Sequence, residues 1–466
     1  MTVIDKTTTE FIDDQAIVDT LQACQDKSGS TVRCIIKKAF ELKGLQPDQI
    51  ASLMHISDPE LLGELFQAAR QVKERIYGKR LVIFAPLYIS NLCSNECLYC
   101  AFRAKNKLVH RRALTQEEIS VEVKALLDQG HKRVLLVAGE AYPQEGFSYI
   151  LKAIETIYST TNGRDHIRRV NVNIAPLTLE EFRQLKQAKI GTYQLFQETY
   201  HRPTYMAVHA GGPKRDYLWR LTALDRAMEA GIDDVGIGVL FGLFDWRYEI
   251  LAMMQHIRHL EQRFGVGPHT ISVPRLEPAT GSDLASHPPK PVSDLDFRKI
   301  IAILRLAVPY TGIIMSTRET PNLRRESFAL GVSQISAGSR TDPGGYSKTD
   351  YQASQFSLGD HRPLDVVIQD IARLGYIPSF CTACYRLGRT GQDFMDLAKP
   401  GKIHMHCDPN ALSTFMEYLL DYASPQTKRV GLALIEQVLE QMSPAASKRA
   451  KAMLQKVESG QRDVFC

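Results

Sequence analysis

Residues 81–100, LVIFAPLYISNLCSNECLYC, join an apolar run to three cysteines that lie within eight residues. The run over 81–88 predicts a buried strand. Cysteine thiolates usually ligate all the irons of a cubane iron–sulfur cluster. Cys93, Cys97 and Cys100, here called the first triplet, therefore predict a cluster that leaves one iron open. Tyr99 could lie over a bound heterocycle. A zinc knuckle or three buried thiols are the alternatives, although structural zinc wants a fourth protein ligand.

A second triplet lies near the end of the chain. Cys381, Cys384 and Cys407 form the pattern C-x2-C-x22-C. Three ligands rather than four again predict a cluster with one iron free for an outside ligand. The alternative is a zinc ribbon completed by His404 or His406. His406 adjoins Cys407, and neighbouring residues rarely converge on one tetrahedral ion, so His404 is the more serious fourth ligand.

Composition indicates a cytoplasmic globular protein. The chain has 466 residues and a net charge of +5, which by itself gives no case for nucleic-acid binding. Residues 1–20 carry acids and no long apolar run, so we expect no signal peptide. No stretch approaches the ~20 apolar residues that span a membrane. Six of nine cysteines form the triplets, which indicates a reducing compartment. We expect Cys24 and Cys34 to pack on helices and Cys466 to fray.

Short Val- and Ile-rich runs alternate with amphipathic helical segments after residue 80. The eight predicted strands cover residues 81–88, 133–138, 170–175, 192–196, 234–240, 269–274, 312–316 and 332–336. Predicted helices follow most of them, at residues 115–129, 179–187, 214–229, 246–263, 294–308 and 322–330. Eight such units predict an α/β protein with a (β/α)8 TIM-type barrel. An open doubly wound sheet is the alternative.

The barrel prediction divides the chain into three parts. Residues 1–80 form an N-terminal helical extension, with predicted helices at 16–24, 32–42 and 59–77. Residues 81–365 form the barrel, and residues 366–466 form a C-terminal helical domain that carries the second triplet. Catalytic groups of such barrels lie at the C-terminal ends of the strands. The first triplet follows the first strand, so it falls where an active site belongs.

Several other polar residues follow predicted strands. Gly139 and Glu140 end the second strand, where the glycine exposes backbone to a ligand and the carboxylate can accept hydrogen bonds. Asn173 ends the third strand, and Glu198 and Arg220 follow the fourth. Each is a candidate ligand contact at the C-terminal rim. A solvated glutamate and an arginine on a helix surface are the alternatives for the last two.

The last two predicted strands end in groups that suit an amino-acid substrate. Arg318 lies in Met315-Ser-Thr-Arg-Glu319, and its guanidinium can hold a carboxylate by two parallel hydrogen bonds. Ser336 and Ser339 offer hydroxyl donors at the same rim. The alternative is a structural salt bridge between Arg318 and a neighbouring acid.

The spacing of the first triplet resembles the signature of the radical S-adenosylmethionine (SAM) enzymes. In that superfamily the open iron of a [4Fe-4S] cluster chelates SAM, which is cleaved to a 5′-deoxyadenosyl radical. The resemblance implies a radical SAM barrel, with Gly139 and Glu140 in a GGE-like motif that binds the amino group of SAM. It also implies contacts of Asn173, Glu198 and Arg220 with the ribose and carboxylate of SAM.

Further motifs resemble the aromatic-amino-acid lyases of this superfamily. They are Ser-Thr-Arg-Glu at 316–319, Ser-Ala-Gly-Ser at 336–339 with Pro-Gly-Gly-Tyr at 343–346, and Phe-Gln-Glu-Thr-Tyr at 196–200. Two tyrosine lyases are close, the thiazole-forming 2-iminoacetate synthase and the lyase that matures [FeFe]-hydrogenase. The second triplet resembles the hydrogenase-maturing family. His269 matches a histidine that, in that family, helps to hold an extra iron beside the second cluster.

The resemblance implies that the Cα–Cβ bond of L-tyrosine is cleaved to p-cresol and dehydroglycine. An auxiliary [4Fe-4S] cluster with an extra iron and a bound L-cysteine would convert dehydroglycine to CO and cyanide for H-cluster assembly. Implied partners are SAM, L-tyrosine, a reductant such as ferredoxin or flavodoxin, and other hydrogenase maturation proteins, with no nucleic acid and no membrane. The alternatives are 2-iminoacetate synthase for thiazole assembly and a non-catalytic, zinc-stabilised regulatory module.

Overall fold

The computed structural model describes residues 10–25, 27–348 and 354–466, and its centre is a closed parallel barrel. The strands of the described chain are β1 (Arg80–Ser90), β2 (Arg133–Ala138), β3 (Thr161–Asn162), β4 (Asp165–His166), β5 (Arg169–Asn173), β6 (Tyr193–Glu198), β7 (Val235–Val239), β8 (Thr270–Ser272), β9 (Gly312–Met315), β10 (Gln334–Ser336) and β11 (Ile377–Ser379). Strands β3 and β4 form a separate antiparallel hairpin.

Pairing of the first and last barrel strands closes the sheet. Strand β1 pairs in parallel with β2 on one side, and Val82 lies opposite Gln334 of β10 on the other. The order between them is β2, β5, β6, β7, β8, β9 and β10, all parallel. The barrel prediction is therefore confirmed, and the open doubly wound sheet is wrong. All eight predicted strands are present, with ends shifted by a few residues.

A ninth strand joins the sheet at its N-terminal end. The first residues of β1 pair with β11, with Arg80 opposite Ile377 and Val82 opposite Ser379. This pairing was not predicted from the sequence. Because of this pairing, the chain that follows Ser379 lies at the end of the barrel that is remote from the first triplet.

Twenty α-helices surround the barrel in the described residues. They are α1 (Asp14–Ala23), α2 (Gly29–Ala39), α3 (Pro47–Met54), α4 (Pro59–Tyr77), α5 (Gln116–Asp128), α6 (Ser148–Ser159), α7 (Leu179–Gln187), α8 (Arg202–Val208), α9 (Tyr217–Leu221), α10 (Ala223–Glu229), α11 (Trp246–Phe264), α12 (Asp283–Ser286), α13 (Asp294–Ala307), α14 (Pro321–Leu330), α15 (Leu364–Arg373), α16 (Ala383–Arg386), α17 (Gly391–Ala398), α18 (His404–Asp421), α19 (Pro425–Gln441) and α20 (Pro444–Glu458), with a 3₁₀ turn at Pro213–Arg215. The sequence did not predict α3, α6, α8 or α12, and for α15 to α20 it predicted only a helical domain without individual bounds.

The N-terminal helices and the tail pack on the barrel through one continuous apolar core. Helix α4 contacts α13 and α14, and α18 contacts β11 and α20. Buried residues of α4, of the barrel strands and of α18 belong to the same cluster. The boundaries at residues 80 and 365 stay predictions. In the part of the chain that the structure describes, no helix combines the length and apolar character needed to cross a bilayer.

Two expectations about isolated cysteines are wrong. Cys34 is exposed, because Val32, Ile35 and Ile36 take the buried face of α2. Cys466 does not fray, since its amide N–H donates to Asn410 Oδ1 at 2.8 Å. Cys24 is buried, as predicted.

Candidate active site and auxiliary metal centre

The first triplet lines a cavity of about 200 Å³ at the C-terminal ends of the barrel strands. The loop that carries it is fixed by backbone hydrogen bonds, such as Leu98 N–H to Val208 O at 2.9 Å. Burial raises the pKa of all three thiols, that of Cys100 to about 11. Three thiols around one cavity fit a cluster, which would take them as thiolates and release their protons.

No group of three or more His, Cys, Asp or Glu side chains in the described chain is arranged to hold one metal ion. His406 is not among the described residues that line the cavity of the second triplet. The side chain of His404 lies outside the described part of the chain.

Four buried charges form a network on one wall of the first cavity. Arg220 Nη1 lies 2.9 Å from Glu140 Oε1, and Lys214 Nζ lies 2.7 Å from Glu198 Oε1. Arg220 also approaches Glu198 at 3.6 Å, and Asn95 Nδ2 donates to Glu140 Oε2 at 2.7 Å. Burial alone would raise the pKa of Glu140, but Arg220 and Lys214 lower it. The Glu140 carboxylate is therefore held ionised, and two acids beside two cations suit the amino and carboxylate groups of an amino acid.

Sequence reasoning found Glu140, Glu198 and Arg220 but missed Lys214 and Asn95. Arg220 is buried rather than on a helix surface. Lys214 follows the Gly211-Gly212 turn after α8, and no regular spacing links it to the strands. Its backbone N–H donates to Asn95 Oδ1 at 2.8 Å, in the loop of the first triplet. That tertiary contact, which a sequence does not show, brings it into the site.

Glu198 has an unusual backbone conformation that a buried acid supports. Its φ is +69°, in the left-handed region that costs non-glycine residues energy. The next two residues, Thr199 and Tyr200, donate their hydroxyl and backbone N–H groups to the carboxyl of Glu249 on α11, the second bond at 2.8 Å. Burial raises the pKa of Glu249 to about 8. Glu249 therefore fixes the turn that aims Glu198 into the cavity.

Tyr99, Gly139 and Asn173 also line the first cavity. The Tyr99 hydroxyl lies 2.9 Å from His209 Nε2. A Cβ on Gly139 would lie 2.1 Å from the backbone oxygen of Leu92, so the glycine is needed for close backbone packing as well as for access to a ligand. Asn173 Nδ2 donates to Gln194 O at 2.8 Å. The structure brings all three residues together with the first triplet.

Arg318 lies on the opposite wall of the same cavity. Its guanidinium carbon is 3.3 Å from the ring centre of Phe356. Its one hydrogen bond to a described residue is a long one, from Nη1 to Arg275 O at 3.5 Å. The neighbouring acid, Glu319, pairs instead with Arg275, whose Nε donates to Glu319 Oε1 at 3.0 Å. The guanidinium of Arg318 is therefore available for an anionic ligand, and no ion pair to a described acid occupies it.

Ser336 and Ser339 have different surroundings. Ser336 lines the cavity, and its Oγ accepts the Thr317 N–H at 3.2 Å. Ser339 is buried, but it is not among the described residues that line the cavity. Glu277 does line it and was missed by sequence reasoning; burial raises the pKa of this carboxyl to about 7. Glu277 is an ionisable group that interacts electrostatically with Arg318.

The second triplet lines another cavity, at the N-terminal ends of the strands. Cys381 follows β11, Cys384 lies on α16, and Cys407 lies on α18. A hydrogen bond with Cys407 lowers the pKa of Cys384 to about 6, and the same bond raises that of Cys407. The sequence places these three cysteines together, but only the pairing of β11 with β1 places them at this end of the barrel.

Buried cations surround the second triplet. Arg133 Nη2 donates to Cys381 O at 2.7 Å, while the Nε atoms of Arg133 and Arg80 have no hydrogen-bond partner among the described residues. Burial would lower the pKa of Arg80, but Cys407 raises it above its usual value. Two buried guanidinium groups beside three thiols fit a cluster that carries negative charge.

His269 lines the second cavity together with Asp234. Its Nδ1 lies 3.8 Å from Asp234 Oδ2. Burial lowers the pKa of His269, so the imidazole is neutral and suited to bind a metal ion. The structure therefore places His269 in the same cavity as the second triplet, and its role as a ligand of an extra iron stays a prediction from the resemblance.

The barrel interior lies between the two cavities. Phe84 of β1 and Gln194 of β6 line the first cavity, whereas Val82 of β1 and Gln334 of β10 line the second. Val82 and Phe84 point to the same face because side chains of a strand alternate. The two sites therefore share one interior and occupy opposite ends of it.

Comparisons with known proteins agree with this arrangement. Residues 87–256 match the Radical SAM superfamily, and residues 272–377 match the Biotin and Thiamin Synthesis associated domain. The chain is 32% identical to 2-iminoacetate synthase of Escherichia coli over 77% of its length and 92% of that enzyme.

Two crystal structures of HydG, a maturase of the [FeFe]-hydrogenase, have the same fold. One is 49% identical, with a TM-score of 0.95, and the match covers 98% of this chain and all of that chain. The other, from Carboxydothermus hydrogenoformans, is 43% identical, with a TM-score of 0.83, over 95% of this chain and 97% of that one. The likeness therefore extends over nearly the whole chain and not only over the barrel.

Proposed function

Because the chain belongs to the radical SAM superfamily, and within it to the family of 2-iminoacetate synthase and HydG, we propose that it is a tyrosine lyase for hydrogenase maturation. It would cleave the Cα–Cβ bond of L-tyrosine to p-cresol and dehydroglycine, and convert dehydroglycine to CO and cyanide. The observation that carries the proposal is the pair of three-cysteine sites at opposite ends of one barrel.

The first cavity supports the lyase half of the proposal. A [4Fe-4S] cluster on the first triplet, with SAM, supplies the 5′-deoxyadenosyl radical that starts the reaction. Glu140, Glu198 and Arg220 would hold the amino and carboxylate groups and the ribose of SAM, with Lys214 completing the charge network. Arg318, on the facing wall, would clamp the tyrosine carboxylate. A closed barrel keeps reactive intermediates from water.

The second cavity supports the CO- and cyanide-forming half. Cys381, Cys384 and Cys407 would hold an auxiliary cluster with an extra iron and L-cysteine, which would supply the iron that binds CO and cyanide. His269 would ligate that extra iron through its neutral imidazole, and Arg80 and Arg133 would balance the negative charge. Dehydroglycine would pass from one site to the other through the barrel interior, which lies between them. A reductant such as ferredoxin or flavodoxin and other maturation proteins remain proposed partners.

The experiment is a product assay on anaerobically reconstituted enzyme with tyrosine and SAM. Wild type should make 5′-deoxyadenosine, p-cresol and CO. The double variant Cys381→Ala/Cys384→Ala should keep p-cresol and lose CO, because only the second site is changed. Cys34→Ala, at an exposed cysteine remote from both cavities, is the matched control and should behave as wild type.

Two outcomes would contradict the proposal. CO release by the double variant at the wild-type level would remove the second triplet from the reaction. Formation of p-cresol and dehydroglycine by wild type without any CO, at an iron content near four per chain, would favour a 2-iminoacetate synthase for thiazole assembly.

A further inference from the structure

A third cavity, of about 580 Å³, adjoins the second cysteine site. It is formed at the N-terminal ends of β5, β6 and β7, and we call it the vestibule. Lys186 and Lys189 at its mouth are exposed, so it opens to solvent. Asp234 and Tyr385 line both the vestibule and the cavity of the second triplet. The proposed reaction assigns no task to this space.

Tyr385 forms the wall between the vestibule and the second triplet. Its ring lies 3.6 Å from the guanidinium carbon of Arg169, and its hydroxyl lies 3.2 Å from Thr192 Oγ1. Its ring centre is 6.3 Å from that of His269. Tyr385 also follows Cys384 directly in the chain, so a ligand that passes this ring reaches the proposed auxiliary cluster and its histidine.

The vestibule carries cations and carboxylates. Arg169, Lys186 and Lys189 form no ion pair within 4 Å with a described acid, although Asp234 interacts electrostatically with Arg169 and Asp233 with Lys186. Arg169 Nη2 donates to Ile190 O at 2.7 Å, but its Nε has no partner among the described residues. The carboxylates are those of Asp233 and Asp234, and neither oxygen of the buried Asp234 accepts a hydrogen bond from a described residue.

Other charged groups around the vestibule are already paired. Arg168 forms ion pairs with Glu417 and Asp463, and Arg386 pairs with Asp463 at 2.5 Å. Asp233 accepts a hydrogen bond from Thr390 Oγ1 at 3.2 Å. The vestibule thus offers cationic donors and the carboxylate of Asp234, whose Oδ2 also lies 3.8 Å from His269 Nδ1. These groups complement the carboxylate and the ammonium group of one small zwitterion.

We propose that the vestibule binds a small zwitterionic α-amino acid and admits it to the auxiliary site past Tyr385. This inference rests on the proposed function, in which the auxiliary cluster takes L-cysteine as an outside ligand. Entry from this side leaves the barrel interior to the fragment that comes from tyrosine. The two reactants would then reach the auxiliary iron from different directions.

The first test measures how fast L-cysteine changes the electron paramagnetic resonance spectrum of the auxiliary cluster in the reconstituted full chain. Ala188→Trp fills the vestibule without altering charge, and it should slow the change about tenfold while leaving the final spectrum as in wild type. Ala445→Trp, at an exposed helix position, is the matched control and should keep the wild-type rate. An unchanged rate in Ala188→Trp would contradict the proposal that L-cysteine enters through the vestibule.

The second test addresses the class of ligand by calorimetry with L-alanine, which has no thiol to bind iron. Lys186→Gln/Lys189→Gln should weaken L-alanine binding about tenfold or more, since each charge-assisted bond to a carboxylate is lost. Lys38→Gln, at an exposed lysine of α2, should leave it unchanged. Acetate that binds as well as L-alanine would overturn the assignment to a zwitterion.

The two measurements separate this inference from the proposed function. L-alanine binding that depends on Lys186 and Lys189 supports the vestibule even if L-cysteine never reaches the cluster. If wild type does not form p-cresol, the lyase proposal is contradicted, but the calorimetric result on L-alanine binding is unaffected. The vestibule variants should still form p-cresol, because none of them lies in the first cavity.

Discussion

Replacement of Arg318 by lysine tests the proposed substrate clamp at its most specific point. Arg318 is half-buried, and its guanidinium stacks on Phe356 and has no ion pair with a described acid, so its donors are available for the tyrosine carboxylate. Lysine keeps the charge but loses the two parallel N–H donors. The loss of one charge-assisted hydrogen bond should cost about 1.5–3 kcal/mol, which is roughly a ten- to hundredfold rise in the dissociation constant of tyrosine.

The assay compares tyrosine with tyramine, which lacks the carboxylate. Calorimetry in the presence of SAM should show that Arg318→Lys weakens tyrosine and leaves tyramine unchanged, so the preference for tyrosine collapses. Arg325→Lys is the matched control, because Arg325 pairs with Asp370 outside the cavity at 2.8 Å. A variant that keeps the full preference for tyrosine over tyramine would refute the clamp.

The remaining predictions concern both metal sites and one buried acid. Alanine at any one cysteine of the first triplet should abolish 5′-deoxyadenosine formation, measured by chromatography, because the cluster loses a ligand. His269→Ala should lower CO more than p-cresol in the product assay, because it loosens only the extra iron. Glu249, with a folded pKa of about 8, binds its proton more tightly when folded, so the folded state should lose stability as pH rises from about 4.5 to 8, by roughly 1.4 kcal/mol per unit. In urea unfolding, the free energy of unfolding of Glu249→Gln relative to that of wild type should therefore be higher at pH 9 than at pH 5. The same difference between variant and wild type at both pH values would contradict the proposed protonated, buried Glu249.

Local patterns sufficed for much of the fold. The barrel strands are continuous Val- and Ile-rich runs, the pattern expected when both faces of a parallel sheet are buried. The sequence did not predict strand β11, because it has three residues, includes Pro378, and pairs with a strand almost 300 positions away in the chain. Cys34 was placed wrongly because its helix buries positions 32, 35, 36 and 39, which face away from it.

The candidate sites were predictable only in part. Cysteine spacing indicated both triplets, since ligands that are close in sequence must also lie close in space. Lys214 and Glu249 have no such signal, because tertiary contacts alone bring them to Glu198. Sequence patterns likewise did not reveal that Arg318 stacks on Phe356 while Glu319 turns to Arg275. Contacts between residues that are distant in sequence determine the partners of Arg318 and Glu319.

The length of strand β1 sets the distance between the two proposed metal sites. It starts at Arg80 beside the second triplet and ends at Ser90, just before the first. Eleven residues at about 3.3 Å each give a rigid span of roughly 35 Å. A slip of β1 by one residue against its neighbours would turn Val82, Phe84 and the rest of the inner face outward. Such a slip would disturb the cavities at both ends of the barrel at once. Both proposed reactions therefore depend on the pairing register of strand β1.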